Sequence, residues 1–307
     1  GKSPVSRKAC GILKGRGLRV VVVRHPMPYG NLLKELCQRV ASHQDLSRYS
    51  YTIEEREEFE PHIESGCVVY DGVDYGVVLE KAQAEADVIV WDGGNNDFPF
   101  YKPDLLIVVA DALRPGHELR YHPGETNMRM ADVVVVNKVG DSREADVQVV
   151  LRNVRENNPR ARIVLANSVI RVDKPELIRG RRVLVVEDGP TVTHGGMSFG
   201  AGFVAARSFG AAEVVDARAV AVGSIKETFD KYSHLKEVLP AMGYSGRQIR
   251  ELEETINSCD CDSVVVGTPI DLGRLLRINK PTVRVRYEIE EIGHPTLEDV
   301  LKEHFRF

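Results

Sequence analysis

The chain begins with Gly1-Lys2-Ser3, the last three residues of the pattern G-x-x-x-x-G-K-[S/T] that forms phosphate-binding loops. Two other segments follow it in a fitting order. The apolar run Val88-Ile89-Val90-Trp91 ends in Asp92, and the apolar run 133–136 ends in Asn137-Lys138. A phosphate loop, a strand-end aspartate and a strand-end Asn-Lys pair are the places at which such folds hold a nucleotide. The sequence therefore predicts nucleotide binding.

The pattern also predicts what precedes Gly1. A strand normally leads into the loop and, with the following helix, holds its backbone N–H groups toward the phosphates. The first glycine of the pattern and an initiator Met are both missing from the sequence. We therefore expect residues 1–307 to be the C-terminal part of a longer protein, or the numbering to omit upstream residues.

Strand-like and helix-like segments alternate along the chain. Short β-branched runs such as residues 18–23 alternate with longer segments such as residues 142–157. This alternation is typical of an α/β protein with a doubly wound, mostly parallel sheet. We predict a nucleotide-binding domain over residues 1–172 and a further α/β domain over residues 173–307. A helix is predicted over residues 31–41.

Composition excludes several classes of partner. The net charge is −4 and no basic tail or stripe is present, so nucleic acid is not an expected partner. No apolar run approaches the roughly 18 residues of a membrane span. Five cysteines lack the spacing of zinc ligands and suit small buried residues in a reducing cytoplasm.

The phosphate loop and the strand-end acid predict a division of roles. Lys2 is expected to reach the β- and γ-phosphates, and the Ser3 hydroxyl to hold Mg²⁺. Asp92 is expected to hold the same ion directly or through water, since open α/β sheets bind ligands at the carboxyl ends of their strands. The alternative for Asp92 is a helix cap or a turn aspartate.

Asn137-Lys138 resembles the base-reading Asn-Lys-x-Asp motif of GTPases, but the acid is displaced by one residue to Asp141. Either the chain bulges at Gly140 to accommodate the extra residue, or the two hydrogen bonds from guanine to Asp141 are lost. Asn167 follows the next strand and is a predicted second base contact. ATP is therefore the expected nucleotide, with GTP as the alternative.

Three loops after predicted strands combine polar or cationic side chains with glycine or proline. Each is an ordinary loop by itself, but at one sheet edge they favour a second, anionic substrate. The alternative is that their arginines pair with surface carboxylates such as Glu118 or Glu125. The predicted substrate-binding residues are Arg24 and His25 in the first loop, Asn95 and Asp97 in the second, and Arg114, His117 and Arg129 in the third.

Two further segments carry alternatives. Glycines of the segment 195–202 precede a helix, which suits either an anion site or a tight turn, and His194 favours a ligand there. The acidic run 54–60 is interpreted as a solvated helix face, with a mobile switch near the nucleotide as the alternative.

Several segments together resemble the prokaryotic cyclic 2,3-diphosphoglycerate synthetase family, many members of which are described only as predicted GTPases. The resemblance covers essentially the whole chain. The strand-end Asp92-Gly93-Gly94 is also similar to lipid A 4′-kinase, a distant P-loop relative. The segments that carry the family resemblance are residues 1–7, 24–30, 91–97, 122–125 and 187–191.

The resemblance implies ATP-driven closure of 2,3-diphosphoglycerate to its cyclic pyrophosphate, with Mg²⁺ and release of ADP and phosphate. Lys2 and Ser3 match the phosphate and metal positions, and Asp92 the metal-side acid. The expected partners are thus a nucleotide and a small phosphorylated acid, and a homodimer is left open. The competing hypothesis is a regulatory or assembly GTPase of the same P-loop class.

Overall fold

A computed structural model describes residues 1–26, 32–33, 35–49, 51–94, 97–243 and 245–306, except for the side chain of Glu54. The chain forms two compact units. Unit 1 comprises Gly1–Ser42, His62–Val169 and Glu288–Phe307, and unit 2 comprises His43–Pro61 and Ile170–Tyr287. The division into residues 1–172 and 173–307 stays a prediction, whereas both compact units are discontinuous along the chain.

Apolar runs form the strands and longer periodic segments form the helices. The strands are β1 (Val20–Arg24), β2 (Gln38–Val40), β3 (Val68–Asp71), β4 (Val88–Asp92), β5 (Ile107–Asp111), β6 (Val133–Asn137), β7 (Arg162–Val172), β8 (Arg182–Asp188), β9 (Glu213–Val214), β10 (Leu239–Ala241), β11 (Ser263–Val266) and β12 (Thr282–Ile292). The helices are α1 (Lys2–Gly15), α2 (His43–Arg48), α3 (Ile53–Glu64), α4 (Tyr75–Glu85), α5 (Gly124–Met130), α6 (Glu144–Asn157), α7 (Gly189–Val192), α8 (Ala201–Ser208), α9 (Gly223–Lys231), α10 (Gly246–Ser258) and α11 (Leu297–Phe305).

The first sheet of unit 1 has the strand order β2-β3-β1-β4. β1 is parallel to β3 and β4, and all five of its residues are buried. Both α1 and α4 contact β1, which explains why its first four residues are all valine. β4 lies at the edge of the sheet, so its first four residues are only half-buried. The apolar run 88–91 therefore forms the predicted strand, but only the terminal Asp92 of this strand is fully buried.

β5, β6 and β7 form a second parallel set in unit 1. Register aligns Asp111 at the end of β5 with Asn137 at the end of β6. In the first sheet, Arg24 at the end of β1 is likewise aligned with Asp92 at the end of β4. Polar side chains of the predicted site thus stand where parallel strands end.

β8 is the centre of unit 2 and is parallel to β9, β10 and β11. Residues 183–186 of β8 are completely buried in the core of this unit. These sheets confirm the predicted α/β class with mostly parallel strands and a further C-terminal α/β unit. Within the described part of the chain, no helix combines the length and apolar character that a bilayer crossing requires.

The predicted helix over residues 31–41 is wrong at its C-terminal end. Gln38–Val40 forms strand β2, which runs antiparallel to β3. Its side chains alternate between buried, exposed and buried, the period of a strand with one covered face. Pairing with β3 therefore overrides the local helical preference.

The interpretation of residues 54–60 as a solvated helix face is also wrong. Arg56, Glu57 and Glu60 of α3 are only 7%, 9% and 0% exposed. Glu60 lies 3.2 Å from Arg56 and accepts a hydrogen bond from the backbone N–H of Asp271, and Glu57 accepts one from Thr268. These carboxylates are satisfied by protein groups rather than by water, as buried charges must be.

Candidate nucleotide site

Helix α1 begins directly after Gly1, so its N-terminus marks the predicted phosphate position. A Cβ added at Gly1 would lie 2.4 Å from Nδ2 of Asn137, so a larger residue there would have to displace this amide. Burial lowers the pKa of the Lys2 ammonium; Asp92 and Asp97 oppose this shift and Arg24 adds to it. Lys2 therefore belongs to one partly dehydrated charge cluster with residues that follow β1 and β4.

Asp92 is the anion at the centre of this cluster and is 2% exposed. Its Oδ2 lies 2.8 Å from Nη1 of Arg24 and 2.8 Å from Nε2 of His62. Burial opposes ionisation of Asp92, but Arg24 and His62 outweigh it and hold the pKa of this carboxyl well below its ordinary value. The carboxylate is thus fixed as an anion at the end of β4.

Arg24, a predicted substrate residue, is 7% exposed and is the ion-pair partner of Asp92. His25 follows it, with Nδ1 3.4 Å from Oδ1 of Asp97. Oδ2 of Asp97 accepts a hydrogen bond from the N–H of Gly94 at 2.7 Å. The first two predicted loops therefore meet beside Lys2, although their contact with substrate stays a prediction. Asn95 lies outside the described residues.

The predicted base-binding segment is braced by its own amides. Asn137, 1% exposed, donates from Nδ2 to Oγ of Ser168 and accepts the N–H of Lys138, both at 2.8 Å. Oδ1 of Asn167 accepts the N–H of Gly140 at 2.7 Å. These bonds tie the end of β6 to β7 and leave the predicted base contacts of Asn137 and Asn167 as predictions.

Lys138 adopts the left-handed backbone conformation, with φ of 64°, and its Nζ lies 2.6 Å from Oδ2 of Asp111. A non-glycine residue in this conformation is uncommon and is often found at functional sites. Asp141 ends the short 3₁₀ turn that follows and is exposed to solvent. Its proposed contact with a base stays a prediction.

The third predicted loop differs from the first two. Arg114, His117 and Arg129 are all exposed, and Arg129 forms an ion pair with Glu125. Arg129 thus has the surface partner that the alternative interpretation named. Asn127 of α5 joins this segment to the second loop by donating to the backbone carbonyl of Asp97 at 2.8 Å.

In unit 2, the glycine-rich segment after β8 surrounds a carboxylate to which the sequence assigned no role. Glu187 is 1% exposed and accepts hydrogen bonds from the backbone N–H groups of Gly200, Gly202 and Phe203 at 3.1, 3.2 and 2.7 Å. The protein's own carboxylate thus occupies the anion position predicted before α8. Burial raises the pKa of Glu187 to about 7, although the three N–H groups lower it.

His194, the predicted ligand residue of unit 2, is exposed. Its Nδ1 lies 3.2 Å from Oγ1 of Thr193, and its ring packs edge-on against Tyr232 at 6.1 Å between centroids. These contacts orient the imidazole on the surface of unit 2. A ligand role for His194 stays a prediction.

His62 is the site residue that the sequence analysis missed. It is 0% exposed and lies in the last turn of α3, 30 residues before its partner Asp92. The acidic residues before it were interpreted as a solvated face, so nothing in the local pattern indicated a buried histidine. Only the packing of α3 brings the imidazole to the end of β4.

The side chains predicted to hold Mg²⁺ fit that ion. Arg24 and His62 contact Oδ2 of Asp92, and a hydrogen bond with Ser6 also stabilises this carboxylate as an anion. Ser3 lies in the first turn of α1. No three His, Cys, Asp or Glu side chains gather as metal ligands in the described ranges. Such a sparse set suits Mg²⁺, which keeps several waters and shares the phosphates of its nucleotide.

Comparisons with known proteins place the chain in a family, although no family model matches it. Arginine synthetase ArcE from Thermococcus kodakarensis is 61% identical over 303 residues, which are 99% of this chain and 68% of that protein. A cyclic 2,3-diphosphoglycerate synthetase from Pyrococcus furiosus is 28% identical over 108 residues, 35% of this chain and 25% of that protein.

The crystal structure of LpxK from Aquifex aeolicus in complex with ATP covers 99% of this chain and 84% of its own, with a TM-score of 0.55 and 11% identity. This likeness supports the P-loop NTPase fold. The expected relation to cyclic 2,3-diphosphoglycerate synthetases extends over about a third of the chain, whereas the match to ArcE spans nearly all of it. The chain therefore belongs to the arginine synthetase ArcE family.

Proposed function

We propose that the protein is an ATP-dependent synthetase that forms arginine. The observation that carries the proposal is the cluster of Lys2, Asp92 and Arg24, in a chain 61% identical to an arginine synthetase. A phosphate-binding lysine beside a fixed carboxylate suits phosphoryl transfer, which depends on positioning and charge neutralisation more than on a protein nucleophile.

The chemistry of the product defines the reaction class. A guanidinium group differs from a ureido group by one nitrogen in place of one oxygen. Transfer of the γ-phosphoryl group to that oxygen makes it a leaving group; an incoming nitrogen then forms the new C–N bond, and phosphate departs with the oxygen. ADP and phosphate are the other products.

Each residue of the cluster has a role in this scheme. Lys2 binds the β- and γ-phosphates, and Arg24 holds the Asp92 carboxylate and adds positive charge near the transferred group. Ser3 and Asp92 would hold Mg²⁺, which would neutralise phosphate charge when bound. The exposed His25 and the half-buried Asp97, near the ends of β1 and β4, are the candidates for contact with the amino-acid substrate.

Cyclic 2,3-diphosphoglycerate formation is the second candidate, favoured by the 28% identity to a synthetase of that name. It uses the same first step, since the γ-phosphoryl group activates an oxygen and a neighbouring phosphate then attacks. The two candidates differ only in the acceptor. A GTPase switch is the third outcome, and the Asn137-Lys138 segment is the feature that favours it.

The test is a product assay on the full-length protein with Mg²⁺ and either ATP or GTP. Two acceptors are compared: the ureido analogue of arginine with ammonium, and 2,3-diphosphoglycerate. We expect arginine, detected by mass spectrometry, from ATP with the first acceptor. Formation of the cyclic phosphate alone would support the second candidate, and acceptor-independent GTP hydrolysis alone would support the switch.

Variants tie the activity to the site. Lys2→Ala should remove a charge-assisted contact of about 1.5–3 kcal/mol and with it most of the turnover. Lys8→Ala is the matched control, because Lys8 lies on the same helix but pairs with Glu291. Equal turnover in Lys2→Ala and in the wild type would show that this lysine does not bind the phosphates.

A further inference from the structure

His62 stands out because it is a completely buried histidine with one partner. Its Nε2 lies 2.8 Å from Oδ2 of Asp92, and within the described residues its Nδ1 has no hydrogen-bond partner. Burial of a polar ring is unfavourable unless its polar atoms are paired. An apolar side chain would fill this place at the end of α3 without that penalty, so packing alone does not explain the imidazole.

The geometry shows what the imidazole does to its partner. Two groups contact the same oxygen of Asp92 from different elements: the guanidinium of Arg24 on β1 as an ion-pair partner, and Nε2 of His62 on α3 through a hydrogen bond. A carboxylate held by one oxygen from two directions cannot rotate about its side-chain bonds without losing a contact. The other oxygen is thereby held in a defined direction.

Arg24 and His62 are not equivalent in this arrangement. Strand register pairs Arg24 of β1 with Asp92 of β4, so the sheet itself fixes the position of the Arg24 backbone beside Asp92. His62 comes from a helix and contributes a directional hydrogen bond. Arg24 therefore supplies the compensating charge, and His62 supplies the orientation.

We propose that His62 is a positioning residue of the nucleotide site: it orients the Asp92 carboxylate, which would hold the Mg²⁺ that accompanies the nucleotide. The proposal rests on the P-loop site assigned above, and it adds α3 to the elements that build that site. Outer partners of this kind typically change metal affinity by about 10–100-fold when they are removed.

The experiment measures binding, so it does not depend on which reaction the protein performs. ADP affinity is measured by calorimetry in the full-length protein, with Mg²⁺ and with EDTA, and the ratio of the two affinities gives the contribution of the ion. His62→Leu should reduce this ratio by about tenfold and leave the affinity in EDTA unchanged. His62→Gln, whose amide N–H can replace the Nε2 donor, should restore most of the ratio.

His234→Leu is the control, because the Nε2 of His234 also makes one hydrogen bond at 2.8 Å, to the backbone carbonyl of Val192 in unit 2. It should leave the ratio unchanged. Circular dichroism and thermal unfolding establish that each variant is folded, and His62→Gln keeps the test decisive if His62→Leu is not. A wild-type ratio in folded His62→Leu, or an equal loss in folded His62→Gln and His62→Leu, would overturn the proposal.

The outcome also stands apart from the proposed function. If the wild type makes no arginine but the ratio falls in His62→Leu, only the assigned reaction is wrong. If arginine is made and the ratio is unaffected, only the role of His62 is wrong.

Discussion

Units 1 and 2 each bury a carboxylate at the end of a parallel strand, but they stabilise it differently. Asp92 at the end of β4 is held by the side chains of Arg24 and His62. Glu187, next to the end of β8, is held by three backbone N–H groups before and in α8. The pKa of Asp92 is well below its ordinary value, whereas that of Glu187 is raised to about 7.

The difference shows what backbone N–H groups can and cannot do for a buried anion. Three hydrogen bonds satisfy the oxygens of Glu187 but bring no net charge, and burial remains the dominant cause of its shift. A guanidinium within 2.8 Å reverses the balance at Asp92. Asp92 is therefore suited to a permanent negative charge, and Glu187 to a charge that is gained and lost near neutral pH.

The largest effect is expected for Asp92→Asn. The substitution removes the carboxylate that lies 2.8 Å from the buried guanidinium of Arg24, and breaking such a buried pair typically costs about 3–5 kcal/mol of unfolding free energy. Turnover should fall at least 100-fold, because the proposed metal-side acid is lost along with the partner of Arg24. Denaturant unfolding and the arginine assay measure the two effects.

The pKa of Asp92 also determines how the loss of stability in Asp92→Asn depends on pH. The folded pKa of Asp92 lies below its unfolded value, so its stabilising contribution is complete above the unfolded pKa and is lost as the pH falls through the folded pKa. The difference in unfolding free energy between wild type and Asp92→Asn should therefore be constant from about pH 5 to about pH 8.

The control for the Asp92→Asn substitution is Asp87→Asn, which removes an exposed partner of Arg19 and should change stability little.

Glu187→Gln should give the opposite pH behaviour. The folded pKa of Glu187, about 7, is above the unfolded value, so the folded state loses stability as the pH rises from the unfolded toward the folded pKa. The accumulated loss is on the order of 3 kcal/mol. Glu187→Gln has no carboxyl group that titrates, so its stability relative to the wild type should rise as the pH increases from the unfolded to the folded pKa of Glu187. A pH-independent difference would contradict the elevated pKa.

A smaller effect tests how tightly Glu187 is enclosed. A Cβ added at Gly267 would lie 2.3 Å from Oε2 of Glu187 and 2.6 Å from the backbone N of Gly202. Gly267→Ala should therefore destabilise the protein by about 1–3 kcal/mol. Gly11→Ala is the control, since no atom lies within 4 Å of the added Cβ in helix α1 and a gain of about 0.5–1 kcal/mol is expected there.

The smallest effect is expected for Arg129→Ala. Its ion pair with Glu125 is exposed and joins residues one helical turn apart, so unfolding should be nearly unchanged. Arg24→Ala, in contrast, leaves Asp92 without its buried cation and should lower both stability and turnover. A loss of turnover in Arg129→Ala without loss of stability would support the prediction that the third loop is part of the substrate site.

The positions of the first two predicted loops could be inferred because the sequence shows where strands end. The sequence itself shows the apolar runs that end in Arg24, Asp92 and Asn137. Parallel pairing brings the ends of neighbouring strands to the same edge of a sheet. The same rule could not predict which partner each side chain takes. The substrate contact of Arg24 stays a prediction, and its ion pair with Asp92 is a contact that the sequence did not indicate.

His62 and the buried acids of α3 were beyond sequence reasoning for a physical reason. Glu57 and Glu60 have the composition of a solvated surface, and their burial depends on Thr268 and on the backbone of Asp271, about 210 residues away. Local patterns carry no information on such distant donors. The position of Glu187 was similarly hidden, since its N–H donors lie in the segment predicted to bind a foreign anion.

The edge strands β4 and β5 of unit 1 have a practical consequence at the bench. Each ends its described sheet, and both carry valine and isoleucine side chains that are only half-buried. An open apolar edge is a template on which another strand can pair, from any molecule that offers one. In the 307-residue polypeptide these two edges should therefore promote self-association, measured as light scattering that rises with concentration, and a preceding strand that paired with either edge would suppress it.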